Sequence, residues 1–308
     1  VKKECKIYVA GHNGLVGSSI FLKLKEFGYT NIAVSNRKDC DLTKLEQVKS
    51  FFDRENPEYV FLAAARCGGI FDNINYPVDY LLDNMNIQNN IISCAHDYKV
   101  KKLVFFASSC IFPKEVQNPI KEEYLLSGPL EQTNEAYSVA KIAGIKLCDS
   151  YRKQYGDNFI SVNPCNIYGP RDKFDPLKGH VMSSLIYKFW NAKKNNLDEV
   201  ICYGDGSPRR EFLHSEDLAD AVIFLSEQEH NDGLINIGSG IDYEIKEIAD
   251  TICDLVGYKG KVIWDKTKPN GIKRKLLDVS KIKKMGWQPK ISLKEGIKDV
   301  IQYLEENQ

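Results

Sequence analysis

Short apolar runs alternate with longer stretches of three-to-four apolar spacing over the first 170 residues. Residues 6–10 form one such run, ending at Gly11, and residues 15–27 then repeat apolar positions at helical spacing before closing at Gly28. A strand, a tight turn and a helix are predicted. The same alternation predicts strands over 31–35, 59–63, 103–107 and 159–163, with helices over 42–53, within 77–98 and over 137–155. Strands separated by helices imply a parallel sheet of at least five strands covered on its faces. Past residue 170 the rhythm breaks into a helix over 181–194, a strand over 200–203 and a loop over 204–210, while 216–226 and 234–238 return to the first unit. The predicted division is therefore 1–170 with 211–238 as one domain, and 171–210 with 239–308 as a second, smaller lobe.

Charge and composition narrow the classes of function. The chain of 308 residues carries 42 basic and 42 acidic side chains, so no overall field attracts nucleic acid or an anionic membrane. Lys273-Arg274-Lys275 is the longest basic run and reads as a solvated loop or a local phosphate contact. No apolar stretch approaches the ~18 residues of a membrane span, and Lys2, Lys3 and Glu4 precede a strand with no signal-peptide core. A soluble, cytoplasmic protein is expected. Nine dispersed cysteines, without a Cys-x-x-Cys pair or Cys/His cluster, point to a reducing compartment and no bound metal.

Gly11-x-x-Gly14-x-x-Gly17 follows a strand and opens a helix. Glycines there let the backbone approach a pyrophosphate, whose charge the helix N-terminus stabilises. The fold expected is α/β, a doubly wound parallel Rossmann sheet with a smaller C-terminal α/β substrate lobe. The second strand ends in Ser35-Asn36-Arg37-Lys38, with no carboxylate at its tip. Arg37 suits a 2′-phosphate, so the cofactor expected is NADP(H). Asp39 and Asp41 face the adenine or cap the next helix.

Tyr137 and Lys141 are four residues apart in a predicted helix and share a face. An ammonium beside the phenol is expected to bring its acidity toward neutrality, for proton donation to a carbonyl oxygen during hydride transfer. Ser108, just past the strand 103–107, falls at the carboxyl edge of the sheet and completes the trio.

These features, with Ala63-Ala64-Ala65-Arg66-Cys67-Gly68-Gly69-Ile70, Pro164-Cys165-Asn166-Ile167-Tyr168-Gly169-Pro170, Arg210-Glu211-Phe212-Leu213-His214 and Arg274-Lys275-Leu276-Leu277-Asp278, resemble the extended short-chain dehydrogenase/reductases. Among them the chain is similar to the GDP-L-fucose synthase family over nearly its whole length. The resemblance implies NADPH-dependent C4 reduction of a GDP-linked 4-keto sugar, with epimerisation at C3 and C5. By position it makes Cys110 the base and His180 the acid of epimerisation, and Ser108, Tyr137 and Lys141 the reducing trio. Cofactor contacts are implied for Gly11, His12, Asn13, Gly14, Leu15, Val16 and Gly17, for Asn36, Arg37, Asp41 and Leu42, and for Ala63, Ala64 and Ala65. They continue through Ala107, Ser108, Tyr137, Lys141, Pro164, Asn166, Ile167 and His180. Substrate contacts are implied for Ser109, Cys110, Asn166, Lys188, Tyr203, Arg210 and Asn270. A homodimer is implied through helices around 81–95 and 137–155.

Tyr203 stands where the family usually has tryptophan, and Asn270 replaces an aspartate. A remodelled pocket opens an alternative, a C4 reductase acting on a GDP-4-keto-heptose epimerised by another enzyme. An NADP-binding regulator without catalysis is the reading from another class.

Overall fold

The computed structural model describes residues 1–176, 179–229, 233–268 and 270–307. Strands β1 (Ile7–Ala10), β2 (Ile32–Ala33), β3 (Tyr59–Leu62), β4 (Lys102–Phe106) and β5 (Phe159–Pro164) alternate with helices α1 (Leu15–Glu26), α2 (Leu45–Glu55), α3 (Ile70–Asn75), α4 (Pro77–Asp97) and α5 (Glu135–Tyr155). The expected strand over 31–35 is only two residues long, and α2 begins later than predicted because Asp41 accepts hydrogen bonds from the Thr43 amide and hydroxyl, holding a turn. The order continues β6 (Asn166–Tyr168), α6 (Val181–Lys194), β7 (Glu199–Tyr203), β8 (Arg209–His214), α7 (Ser215–Glu227) and β9 (Leu234–Ile237). It ends with β10 (Asp242–Glu244), α8 (Ile245–Val256), β11 (Lys261–Asp265), β12 (Arg274–Lys275), α9 (Ser280–Lys284) and α10 (Leu293–Asn307).

Among the described residues six parallel strands pair in the order β2-β1-β3-β4-β5-β9. Their interiors are apolar because helices cover both faces. Phe105 of β4 is fully buried and lies against Gly144 of α5, where an added Cβ would strike its ring. That close approach seats α5 on the sheet. Gln88 of α4 donates to the Ala140 carbonyl at 2.7 Å, locking α4 to α5.

A second core gathers α6, α8 and α10 around Phe189, Ile248 and Ile297, with β7 and β11 paired in parallel. Chain order and packing part company after residue 276. Leu277, Val279, Ile282 and Trp287 lie in the first core, although they fall within the segment the sequence pattern assigns to the second lobe. Arg274 and Lys275, expected in a loop, form strand β12 beside β8. Arg274 is paired there with Asp242, its Nε donating at 2.5 Å.

Glu211 of β8 stands where these segments meet, fully buried. One oxygen accepts from the Gly240 amide at 2.6 Å and the other from the Leu277 amide at 2.9 Å. Gly238 must be glycine, since a Cβ there would collide with the carboxylate. Burial pushes the Glu211 carboxyl up to about 7 against the opposing pull of the two amides. A raised carboxyl binds its proton more tightly folded than unfolded, so stability falls as pH rises from its ordinary range through the folded value. The advantage of the native protein over Glu211→Gln in urea unfolding should be greatest below the ordinary carboxyl value of 4.5. It should shrink by as much as about 3 kcal/mol by pH 8; an advantage independent of pH would contradict the assignment.

Candidate active site

The glycine turn is built by backbone contact. Gly11 has φ of 90°, and a Cβ at Gly17 would run into the Gly11 carbonyl. A side chain at Gly11 would press on the Ala64 amide nitrogen at 2.7 Å, so the turn lies directly against the segment leaving β3. Gly14 precedes the first turn of α1, whose amides face outward. A cleft of ≈ 520 Å³ opens there, lined by Gly11 to Gly14, Ser35 to Arg37, Cys40 to Thr43 and Ala63 to Arg66. Cys40, Thr43, Arg66 and Ile87 were not foreseen in this lining.

The cleft suits a dinucleotide on three observations. Asn13 Nδ2 donates to Asn36 Oδ1 at 2.8 Å, bridging the glycine turn to the tip of β2. His12 has a buried Nδ1 without a partner among the described residues, and its imidazole is held below its ordinary range by burial. Arg37 is exposed at that tip and forms no ion pair among the described residues. Asp41, half-buried, accepts from Thr43 and so is spent in holding the loop before α2.

Tyr137 and Lys141 lie on one face of α5, as their spacing requires. The buried Lys141 Nζ donates to the Phe106 carbonyl at 2.8 Å and sits 4.9 Å from the Phe105 ring centre and 5.8 Å from that of Tyr137. Here the structure corrects the expected electrostatics. Burial, reinforced by the Cys67 and Cys110 sulfurs, holds the Tyr137 hydroxyl well above the usual phenol range. Desolvation outweighs the ammonium, whose own acidity burial increases. Tyr137 Oη lies 3.2 Å from Cys67 Sγ, and its ring meets Tyr80 edge-on.

Ser108 stands half-buried just beyond β4, and Ser109 to Ile111 form a single 3-10 turn. Ser138 Oγ donates to the Cys110 carbonyl at 3.0 Å, which ties that turn to the helix carrying Tyr137. Asn84 fixes the opposite wall by accepting from the Arg66 amide at 2.9 Å and donating to the Arg66 carbonyl. Cys67 is thereby held against Tyr137. The sheet-edge rule could have marked Cys67, since it follows β3 as Ser108 follows β4.

Ala107 and Pro164 are buried at the ends of their strands; Asn166 Nδ2 donates to the Glu211 carbonyl at 2.8 Å, and Ile167 packs on the first core. His180 caps α6 from an exposed position, its Nδ1 3.6 Å from Asp172, which raises its imidazole above the ordinary range. In the second lobe Lys188 Nζ lies 4.3 Å from the Tyr203 ring centre and donates to the Ile201 carbonyl at 3.1 Å. Burial pulls Lys188 and Arg210 below their ordinary ranges. Neither forms an ion pair with a carboxylate among the described residues. Asn270 has its side-chain oxygen engaged by the Asp205 amide at 2.9 Å, which ties it to the loop after β7.

Residues 7–238 match the model of the NAD dependent epimerase/dehydratase family. The chain belongs to that family. It is 48% identical over 305 residues to "GDP-L-fucose synthase 1" of Arabidopsis thaliana, covering 99% of this chain and 94% of that protein. It is 45% identical over 312 residues to "GDP-L-fucose synthase" of Escherichia coli (strain K12), covering 98% and 97%. Among solved structures, "MlghC, GDP-mannoheptose C4 reductase from Campylobacter jejuni with NADP bound" superposes with a TM-score of 0.89 at 37% identity over 99% of each chain. The resemblance read from the motifs is borne out, as is the doubly wound sheet.

Arg37→Ala should weaken NADPH binding roughly 10- to 100-fold, as loss of a charge-assisted contact does. NADH binding should change little; calorimetric titration of both dinucleotides checks it, and equal losses would remove Arg37 from the 2′-phosphate.

Proposed function

We propose that this protein reduces the C4 ketone of a GDP-linked 4-keto-6-deoxy sugar with NADPH after inverting C3 and C5. The observation that carries the reading is the tie from Ser138 to Cys110, which fastens a thiol-bearing turn to the helix presenting Tyr137 and Lys141. One ketone then serves both reactions. It acidifies the hydrogens on both neighbouring carbons, and it is the group finally reduced.

Bound NADPH supplies the hydride that C4 receives. Tyr137, kept protonated by burial, holds its hydrogen until charge develops on the ketone oxygen and then donates it. Ser108 donates a second hydrogen bond to that oxygen, and Lys141 fixes the helix while offering its remaining hydrogens to the nicotinamide ribose. Cys110 removes the hydrogen from C3 or C5, and His180 returns one from the opposite face. Asp172 beside it raises the imidazole above its ordinary range, which supports the assignment. Lys188 and Arg210, desolvated and without carboxylate partners, bind the diphosphate, with Tyr203 and Asn270 beside them. The two lobes close over the sugar nucleotide.

Tyr203 and the engaged Asn270 oxygen favour a second reading, a reductase for a GDP-4-keto-heptose already epimerised. Product NMR in heavy water separates the two. The 6-deoxy substrate with NADPH should yield a reduced sugar carrying deuterium at C3 and C5. Tyr137→Phe should lower turnover at least a hundredfold with NADPH binding retained, and Cys110→Ser should lose the deuterium while C4 reduction continues. Reduction without exchange in the native protein would select the heptose reading, and NADPH binding without turnover of either sugar would revive the regulator.

The protein is assigned to the cytoplasm, where its nine free thiols stay reduced. A homodimer through α4 and α5 accounts for exposed Val78, Leu82, Val139 and Tyr155. Sedimentation equilibrium should then return twice the chain mass of 35.1 kDa; a monomer at micromolar concentration would remove this contact.

A further inference from the structure

Cys67 is the exposed one among nine free cysteines; the other eight are buried or half-buried. Free cysteines ordinarily serve as small core residues, and this one instead has a specific polar neighbour. Its Sγ lies 3.2 Å from Tyr137 Oη, and among the described residues that sulfur is the hydrogen-bond partner of the phenol. The loop carrying it is clamped on both sides. Asn84 holds the Arg66 amide and carbonyl, and Asn73, also buried, donates to the Gly68 carbonyl at 3.1 Å and the Gly69 carbonyl at 3.0 Å. Tyr80 closes the arrangement, since its ring meets that of Tyr137 with centres 6.1 Å apart and a Cβ at Gly68 would strike its hydroxyl. The thiol is therefore fixed against the phenol by its backbone on either side.

Donation by Tyr137 leaves a phenolate that must regain a hydrogen before the next turnover. Cys67, Tyr80 and Lys141 lie against Tyr137. Tyr80 and Lys141 are buried, and Lys141 already donates to the Phe106 carbonyl; Cys67 is the one of the three exposed to solvent. A thiol can both donate and accept a hydrogen. Ordinary thiols titrate near roughly 8.5 and phenols near roughly 10, so a hydrogen passes downhill from sulfur to a phenolate oxygen. Burial of Tyr137, which holds its hydroxyl above the phenol range, steepens that step.

We propose that Cys67 is the proton relay of Tyr137, returning a hydrogen from solvent to the phenolate after each reduction. This rests on Tyr137 being the proton donor at C4. As C4 is reduced, the Tyr137 O–H bond breaks and its hydrogen joins the former ketone oxygen. The Cys67 S–H bond then breaks, its hydrogen forms the new phenol O–H bond, and the electron pair stays on sulfur. The thiolate takes a hydrogen from water, whose hydroxide leaves into bulk solvent. One solvent proton is consumed per ketone reduced.

Stopped-flow oxidation of NADPH, with cofactor and each of the two GDP-4-keto sugars in excess over protein, separates the first turnover from those that follow. Cys67→Ala should oxidise its first equivalent of NADPH at the native rate, because Tyr137 begins protonated. Later equivalents should follow about tenfold more slowly, water replacing the thiol only in part, and they alone should slow further in heavy water. Cys67→Ser, whose hydroxyl relays in the same way, should restore most of the loss. Titration with NADPH checks the fold of each variant, and Cys67→Val replaces the alanine protein if that does not bind. Without any turnover, the Raman S–H band of Cys67, obtained as native minus Cys67→Ala, should shift in Tyr137→Phe. An unmoved band overturns the proposal. Later turnovers at the native rate do so too, as does a first turnover slowed as much as the later ones, which marks a thiol that only shapes the loop. Native turnover in Tyr137→Phe, or no oxidation by the native protein with either sugar, overturns the donor assignment instead, and which protein departs from expectation tells the two failures apart.

Discussion

One buried hydrogen bond, from Lys141 to the Phe106 carbonyl, holds the reactive face of α5 to the end of β4. Phe106 is the last residue of that strand, and Ala107, Ser108 and Cys110 follow it directly. Tyr137 therefore keeps its place relative to Ser108 whatever the second lobe does. The glycine at 144 and the glutamine at 88 serve the same end by letting α5 lie close on the sheet and against α4. A rigid helix carries Tyr137, and short turns carry Ser108 and Cys67 beside it.

Desolvation is the common electrostatic theme. It keeps Tyr137 protonated, and it leaves Lys188, Arg210 and Lys275 as cations more weakly solvated than they would be in water. Among the described residues none of the three forms an ion pair with a carboxylate. Such groups detract from the stability of the free protein and favour whatever anion reaches them.

The first lobe was legible because its signals are local. Each parallel strand is an apolar run followed by a helix of matching period, so α1, α4 and α5 begin and end within two residues of expectation. The second lobe resisted because β6, β10 and β12 are short and all pair with β8 across long stretches of chain. Lys275 looked like part of a solvated run since nothing in three consecutive cations announces a cross-strand neighbour. Cys67 stood in a quoted motif without a role until Asn84 was seen to pin its loop. Spacing placed Lys141 beside Tyr137 correctly but carried no information on burial, and burial decided the sign of the phenol shift.

Arg210 and Glu211 are consecutive residues of one strand, and alternation sends one toward the cleft and the other into the joint between the cores. Slipping that strand by a single position would exchange the two, turning a guanidinium into the joint and the acid out of it. An insertion or deletion within β8 would undo that arrangement, whereas Tyr203 and Asn270 lie exposed. The register of β8 thus decides which side of the joint carries the cation and which holds the buried acid.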